Sequence, residues 1–221
     1  MAHRVVDIAL AAALPLVMAT ALVEDFAHEW LGIAVFALVA AHQVLNRAWW
    51  RAVPRGCWSA RRAVSTAVDL GLVAGMLALV ASALVVSVHA FSWLSVIPGA
   101  GWARPAHLLG SYWGYLLAGL HVGFHVQPAV ARAWRGDGPA RCAAAALCAL
   151  ALVAGAWAFT VLDVGTYLAY ASPFVFVDFD APLALRWAQW LAVGALYALA
   201  GAGPWALLGR FGRRRALGKG R

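Results

Sequence analysis

Apolar residues run through this chain in blocks long enough to cross a bilayer, and polar residues collect in the short stretches between them. The blocks fall at about 5–23, 28–49, 64–88, 105–130, 141–163 and 183–209. A spanning helix needs roughly 20 apolar residues, and each block meets or approaches that length. The expected fold is all-α: a polytopic transmembrane helix bundle of about six helices. It forms a single domain over 1–221, with no room for a separate soluble unit and with a basic tail at 210–221.

Composition points the same way. Hydrophobic residues make up 64% of the 221 positions and charged residues 12%, and the mean hydropathy is +0.78, outside the range of an ordinary soluble domain. The net charge of +8 would fit a nucleic-acid partner, but its distribution fits a membrane. All Lys and Arg except Arg104 and Arg186 cluster at one set of span ends: Arg4, then Arg47 to Arg62, then Arg132 to Arg141, then the tail. Glu24, Asp25, Glu29, Asp163, Asp178 and Asp180 mark the other ends. The positive-inside rule then expects both termini in the cytoplasm, in a bacterial-type inner membrane, with lipid as the surrounding partner and no nucleic acid. Trp49, Trp50, Trp93 and Trp102 near span ends fit interfacial anchoring. The first block also has the outline of a signal peptide, but no small-residue cleavage site stands before Glu24, and a retained span is expected.

Ionisable residues inside spans are costly and mark function by default. His28 and His42 lie on the second span, and His107 and His121 lie on the fourth with the same separation. That separation is about 40° short of four turns and rises about 21 Å, so each pair shares a helix face. Spans two and four run in the same direction, which puts His28 level with His107 and His42 level with His121. Each cross-helix pair meets the demand of a six-coordinate haem for two axial imidazoles, and two haems b are expected in the bundle core. A donor ladder of that height would carry electrons across most of the bilayer.

Other residues add to this picture. Gly32 follows His28 by one turn, and Gly110, Gly114, Gly119 and Gly123 punctuate the fourth span, leaving gaps that suit a flat macrocycle. Gly114, midway between ligands, is assigned to haem, whereas Gly71 and Gly75 read as helix-packing residues. His125, one turn beyond His121, is the alternative ligand of the inner haem, with depth matching favouring His121. Its other readings are a propionate or quinone contact, or a cap on the cytoplasmic end. His89 is read as an interfacial residue or as an outer-site contact. Asp69 is expected to pair with Arg61 or Arg62, the alternative being a proton path, and neither Asp69 nor Asp7 has a second carboxylate placed for hydrolytic chemistry. Cys57, Cys142 and Cys148 form no C-x-x-C-H, so covalent haem attachment is not expected.

The chain resembles the flavinylation-associated cytochromes. The likeness rests on H-E-W-L-G at 28–32 leading through His42 to N-R-A-W-W at 46–50, on H-A-F-S-W-L at 89–94, on H-L-L-G-S-Y-W-G-Y-L-L-A-G-L-H-V-G-F-H at 107–125 and on F-V-F-V-D-F-D-A-P at 174–182. The resemblance implies a haem b protein that relays electrons between membrane quinone and an extracytosolic partner bearing covalent FMN. Its ligands would be His28, His42, His107 and His121, with His125 in a double-histidine pattern. No S-G-A-T-like motif occurs, so no covalent flavin is expected on this chain.

The function expected is thus an electron-transfer subunit, possessing quinol oxidoreductase activity if quinol is its donor. The competing readings are an ion or metal transporter using intramembrane histidines, which would call for broken helices and midplane sites, and a haem-bearing anchor of a larger oxidoreductase complex. The acidic outward loop at 163–182 is the expected docking surface.

Overall fold

Each apolar block becomes a helix in the computed structural model, which describes residues 1–21, 24–94, 100–136 and 138–218, with residues 100 and 207–218 described by backbone alone. The long helices are α1 (Ala2–Thr20), α2 (Asp25–Leu45), α4 (Ala60–Val86), α5 (Ala100–Arg135), α6 (Pro139–Val161) and α8 (Leu183–Gly218). Two short helices, α3 (Arg47–Ala52) and α7 (Val164–Leu168), complete an all-α bundle. Of the basic tail expected at 210–221, Lys219 and Arg221 lie outside the described residues.

Local chemistry sets the helix limits. The block expected to run over 28–49 breaks at Asn46, where both the backbone N–H and the side-chain amide donate to the carbonyl of His42. An asparagine side chain that competes for a helix carbonyl favours a turn, and α3 starts on a new axis. Ser59 caps α4 by accepting from the N–H of Arg62 at 3.2 Å, so this helix starts earlier than the apolar block. Gly138, at φ +69°, and Pro139 open α6. Asp163, in the left-handed region at φ 48°, closes the turn after α6 and accepts from Thr166 Oγ1 at 2.8 Å.

Among the described residues, five helices are long and apolar enough to cross a membrane: α1, α2, α4, α6 and residues 183–206 of α8. The chain is a multi-pass membrane protein. The sixth long helix, α5, is packed between α4 and α8. At 36 residues it is about 54 Å long, more than a hydrocarbon layer requires. α6 shows the opposite character. Its Leu147, Leu150, Val153 and Trp157 are exposed, a patch too large for water and suited to acyl chains.

α6 packs on α8, α1 spans from α2 to α8, and α7 fills the end between α5 and α6. The core between these helices is aromatic: Tyr112 and Tyr115 of α5, Tyr167 of α7, and Trp190 and Tyr197 of α8, with Val164 and Val193. Edge-to-face contacts join Tyr115 to Trp190 at 5.3 Å, and the Tyr115 hydroxyl donates to the carbonyl of Trp190 at 2.6 Å. The buried hydroxyl thereby meets its need for a partner. α2 stands apart from this core. It packs along α1 and forms no packed seam with α4 or α5.

Candidate functional site

The space between α2 and α5 is bridged by histidines. The rings of His28 and His107 lie 6.2 Å apart, centroid to centroid, with planes at 74°. Those of His42 and His121 lie 6.3 Å apart at 79°. Helix periodicity produces this: a shared face on each of two helices, read at two depths.

Each ring is fixed from behind. His28 Nδ1 donates to the carbonyl of Val17 on α1 at 3.0 Å. His107 Nδ1 lies 3.2 Å from Ser82 Oγ of α4, whose own hydroxyl donates to the Leu79 carbonyl at 3.0 Å, leaving the oxygen free to accept. His42 Nδ1 meets Asp7 Oδ1 of α1 at 2.9 Å, and His121 Nδ1 meets Asp69 Oδ1 of α4 at 2.7 Å. A carbonyl or carboxylate only accepts, so Nδ1 carries the proton and the lone pair stays on Nε2. For His28, His42 and His121 the acceptor at Nδ1 favours the tautomer with the lone pair on Nε2, the one used in metal–histidine–acceptor triads, although the Asn46 amide nitrogen also lies 3.4 Å from His42 Nδ1; for His107 the Ser82 hydroxyl is free to take the same accepting role.

The separation has a chemical size. A metal–imidazole bond of about 2 Å on each side, plus roughly 1 Å from nitrogen to ring centre, puts two axial imidazole centroids about 6 Å apart. Both gaps match. Among the described residues, no three or more His, Cys, Asp or Glu gather as a metal site, so the donor sets are pairs. Two imidazole nitrogens are too few donors for a bare cation and would suit a metal that brings ligands of its own.

The glycines sort by face. A Cβ on Gly32 or Gly75 would meet nothing within 4 Å, and on Gly114 only Leu79 Cδ1 at 3.8 Å. Gly32 and Gly114 share a helix face with the histidines of their own helices and leave room there. Gly75, expected to pack helices, has open space where a Cβ would stand, while its carbonyl lies 4.0 Å from the Cβ position of Gly110, so its backbone is at the contact between α4 and α5. Gly119 and Gly123 were expected to make gaps for a macrocycle, but they lie against Tyr197 and the Ala198 carbonyl of α8, where a Cβ would clash. They let two helices touch, because they point to the face of α5 away from the histidines. Gly110 and Gly71 also pack closely, on Leu79 and Leu117.

The pairing expected for Asp69 is corrected as well. Its carboxylate is committed to His121, while Arg62 donates to the carbonyls of Ala52 and Val53 and stacks on Trp58, and Arg61 lies over the ring of Trp205 at 4.5 Å. His125 is exposed and sits beside His121, centroids 4.6 Å apart. His89 is exposed, with its ring edge-on to Phe26 at 5.8 Å. Its backbone N–H, with those of Val88 and Ala90 and the Ser87 hydroxyl, donates to the carboxylate of Glu29. Glu29 thus ties the end of α4 to α2, one residue from His28.

Asp7, Asp69 and Ser82 were the functional partners missed from sequence. The depth rule that paired the histidines would have found them: consecutive spans are antiparallel, so Asp7 early in span one is level with His42 late in span two, and Asp69 with His121 in the same way. Comparison with family models, curated proteins and solved structures finds no match.

Proposed function

We propose that this chain is a di-haem b membrane cytochrome that relays electrons across the bilayer. The observation that carries the reading is the pair of cross-helix histidine couples, each at the spacing of two axial imidazoles and each with Nδ1 held by an acceptor. Haem, when bound, supplies reversible one-electron chemistry at iron. The chain's own residues do the rest. His28 and His107 would hold one group and His42 and His121 the other; Val17, Ser82, Asp7 and Asp69 would hold Nδ1 of each ligand and leave Nε2 for the iron; Gly32 and Gly114 leave space for a flat ring. The fourteen-residue spacing puts the two sites about 21 Å apart along the helices.

The arginine-rich ends of the spans are cytoplasmic in this reading, as are both termini, and the membrane is a bacterial-type inner membrane. By its resemblance to the flavinylation-associated cytochromes, the chain exchanges electrons with quinone and with an extracytosolic redox protein that carries covalent FMN. The outward loop offers Phe174, Phe176 and Phe179, all exposed, beside Asp178 and Asp180, a surface of apolar and acidic character for that partner. Ion transport is the weaker reading, since two imidazoles at each of two separate depths give a bare cation too few donors.

The test is a pyridine haemochrome count with a reduced-minus-oxidised spectrum on the purified chain, His42→Ala and His107→Ala. Two haems b per chain, falling to about one in each variant, are expected. Folded protein without haem would overturn the assignment.

A further inference from the structure

The two histidine pairs differ in what stands behind them. The pair nearer the acidic end leans on neutral acceptors, the Val17 carbonyl and the Ser82 hydroxyl. The pair nearer the arginine-rich end leans on two carboxylates, one for each ring, at 2.9 and 2.7 Å. All four rings are partly buried, and the charge of the acceptor distinguishes the two pairs.

A carboxylate accepting from Nδ1–H pushes electron density into the imidazole and makes Nε2 the stronger donor, as in carboxylate–histidine–metal triads. A stronger donor favours the higher oxidation state of the metal it binds, and hydrogen bonds of this kind are among the levers that set an iron potential. The carboxylate charge acts in the same sense, since a nearby anion opposes adding an electron. Arg47, Arg51 and Arg55 are exposed at the same end, where water and salt screen them over about 8–10 Å; Arg61 and Arg62, half-buried, are engaged with the Trp205 ring and with the Ala52 and Val53 carbonyls, and the Glu29 carboxylate beside His28 is offset by the three N–H groups and the hydroxyl that donate to it. The two carboxylates touch the ligands themselves.

We propose that Asp7 and Asp69 make the His42–His121 site the lower-potential of the two, so that an electron shared between the sites rests at the acidic end of the bundle. The inference builds on the di-haem reading. In balance, the iron at His42–His121 goes from Fe(II) to Fe(III), the iron at His28–His107 goes from Fe(III) to Fe(II), and one electron moves with no further reactant. The built-in direction runs from the arginine-rich end to the acidic end. Asp69 is the stronger of the two positioning residues: its side chain is 18% exposed against 53% for Asp7, so its charge is less screened.

A redox titration of the haem absorption, with wild type, Asp69→Asn, Asp69→Glu, Asp7→Asn and His107→Ala in parallel, tests this. Wild type should titrate in two components. Asp69→Asn should raise the lower one and leave the upper in place, Asp7→Asn should do so less, and Asp69→Glu should restore the wild-type curve. An upward shift confined to the lower component, with the haem count unchanged, supports the proposal. Unmoved potentials in Asp69→Asn at full haem content would overturn it, as would movement of the upper component. Should Asp69→Asn shed a haem, His107→Ala decides, because it keeps both aspartates and only the His42–His121 site. A remaining haem at the lower potential upholds the proposal, and one at the higher potential overturns it. Absence of haem from wild type would instead remove the di-haem reading itself.

Discussion

The two faces of α5 are built for opposite purposes. Towards α8 the helix is zipped shut: Gly119 and Gly123 lie against Tyr197 and Ala198, Gly201 of α8 lies against the backbone of Leu120, and aromatic rings fill what is left. Towards α2 it is held open, with His107 and His121 reaching across a space where a Cβ on Gly32 would have nothing to touch. In a bilayer, helices are not pressed together by a hydrophobic effect between them, and close backbone approach through small residues supplies the attraction. The tight seam therefore gives the bundle its rigidity, and the open face needs that rigidity to keep four imidazoles at fixed separations without contact between their helices.

The largest effect should come from filling the seam. In Gly123→Ala the new methyl would sit on the Ala198 carbonyl and within 2.9 Å of the Ala202 nitrogen, and backbone atoms have no rotamer with which to give way. Overpacking of this kind costs about 1–3 kcal/mol, and here both helices would have to separate. The expected outcome is a clear drop in the thermal midpoint and in the yield of monodisperse protein, measured in detergent. An unchanged midpoint would show that the seam is not what holds the bundle.

Filling the open face should do the reverse. Gly32→Leu adds a side chain where no atom lies within 4 Å of the new Cβ, so folding and the thermal midpoint of haem-free protein should stay near wild type. On the proposed di-haem reading, haem content should fall from two towards one, with the His28–His107 site emptied. If haem content holds while the midpoint falls, Gly32 is a packing residue and the space beside it is not a cofactor cradle.

The difference between the two faces was only partly legible in the sequence. The number and order of the helices followed from apolar run length, and the matching of His28 with His107 and of His42 with His121 followed from rise and direction, which are one-dimensional quantities. Rotation about the axis is harder to read. Glycines on one helix look alike until a neighbour fixes which face each one serves, so Gly119 and Gly123 were given to the cofactor, the reverse of their surroundings. Asp69 was matched with arginines by charge, yet at its depth His121 is the group within reach, and Arg62 finds backbone carbonyls nearer to hand. The break of α2 at Asn46 depends on a side chain competing for one carbonyl, which an apolar count passes over.

The smallest effect concerns the tie between the open face and its loop. Glu29 on α2 receives the Ser87 hydroxyl at 2.7 Å and the N–H groups of Val88 and Ala90 at 2.8 and 2.7 Å. A carboxylate offers these donors two equivalent oxygens, whereas the amide of Glu29→Gln offers one oxygen and places an NH2 where donors already point. The loss is comparable to one charge-assisted hydrogen bond, roughly 1.5 kcal/mol. It falls on a loop that opens locally, leaving the α5–α8 seam untouched. Amide exchange at Val88, His89 and Ala90 should therefore speed up about tenfold, the factor that roughly 1.4 kcal/mol corresponds to, while the thermal midpoint scarcely moves. Because His28 is the neighbouring residue on α2, a haem held at His28–His107, as proposed, should show a broadened absorption band if the tie also steadies the ligand. A band as sharp as wild type, with exchange accelerated, would confine Glu29 to holding the loop.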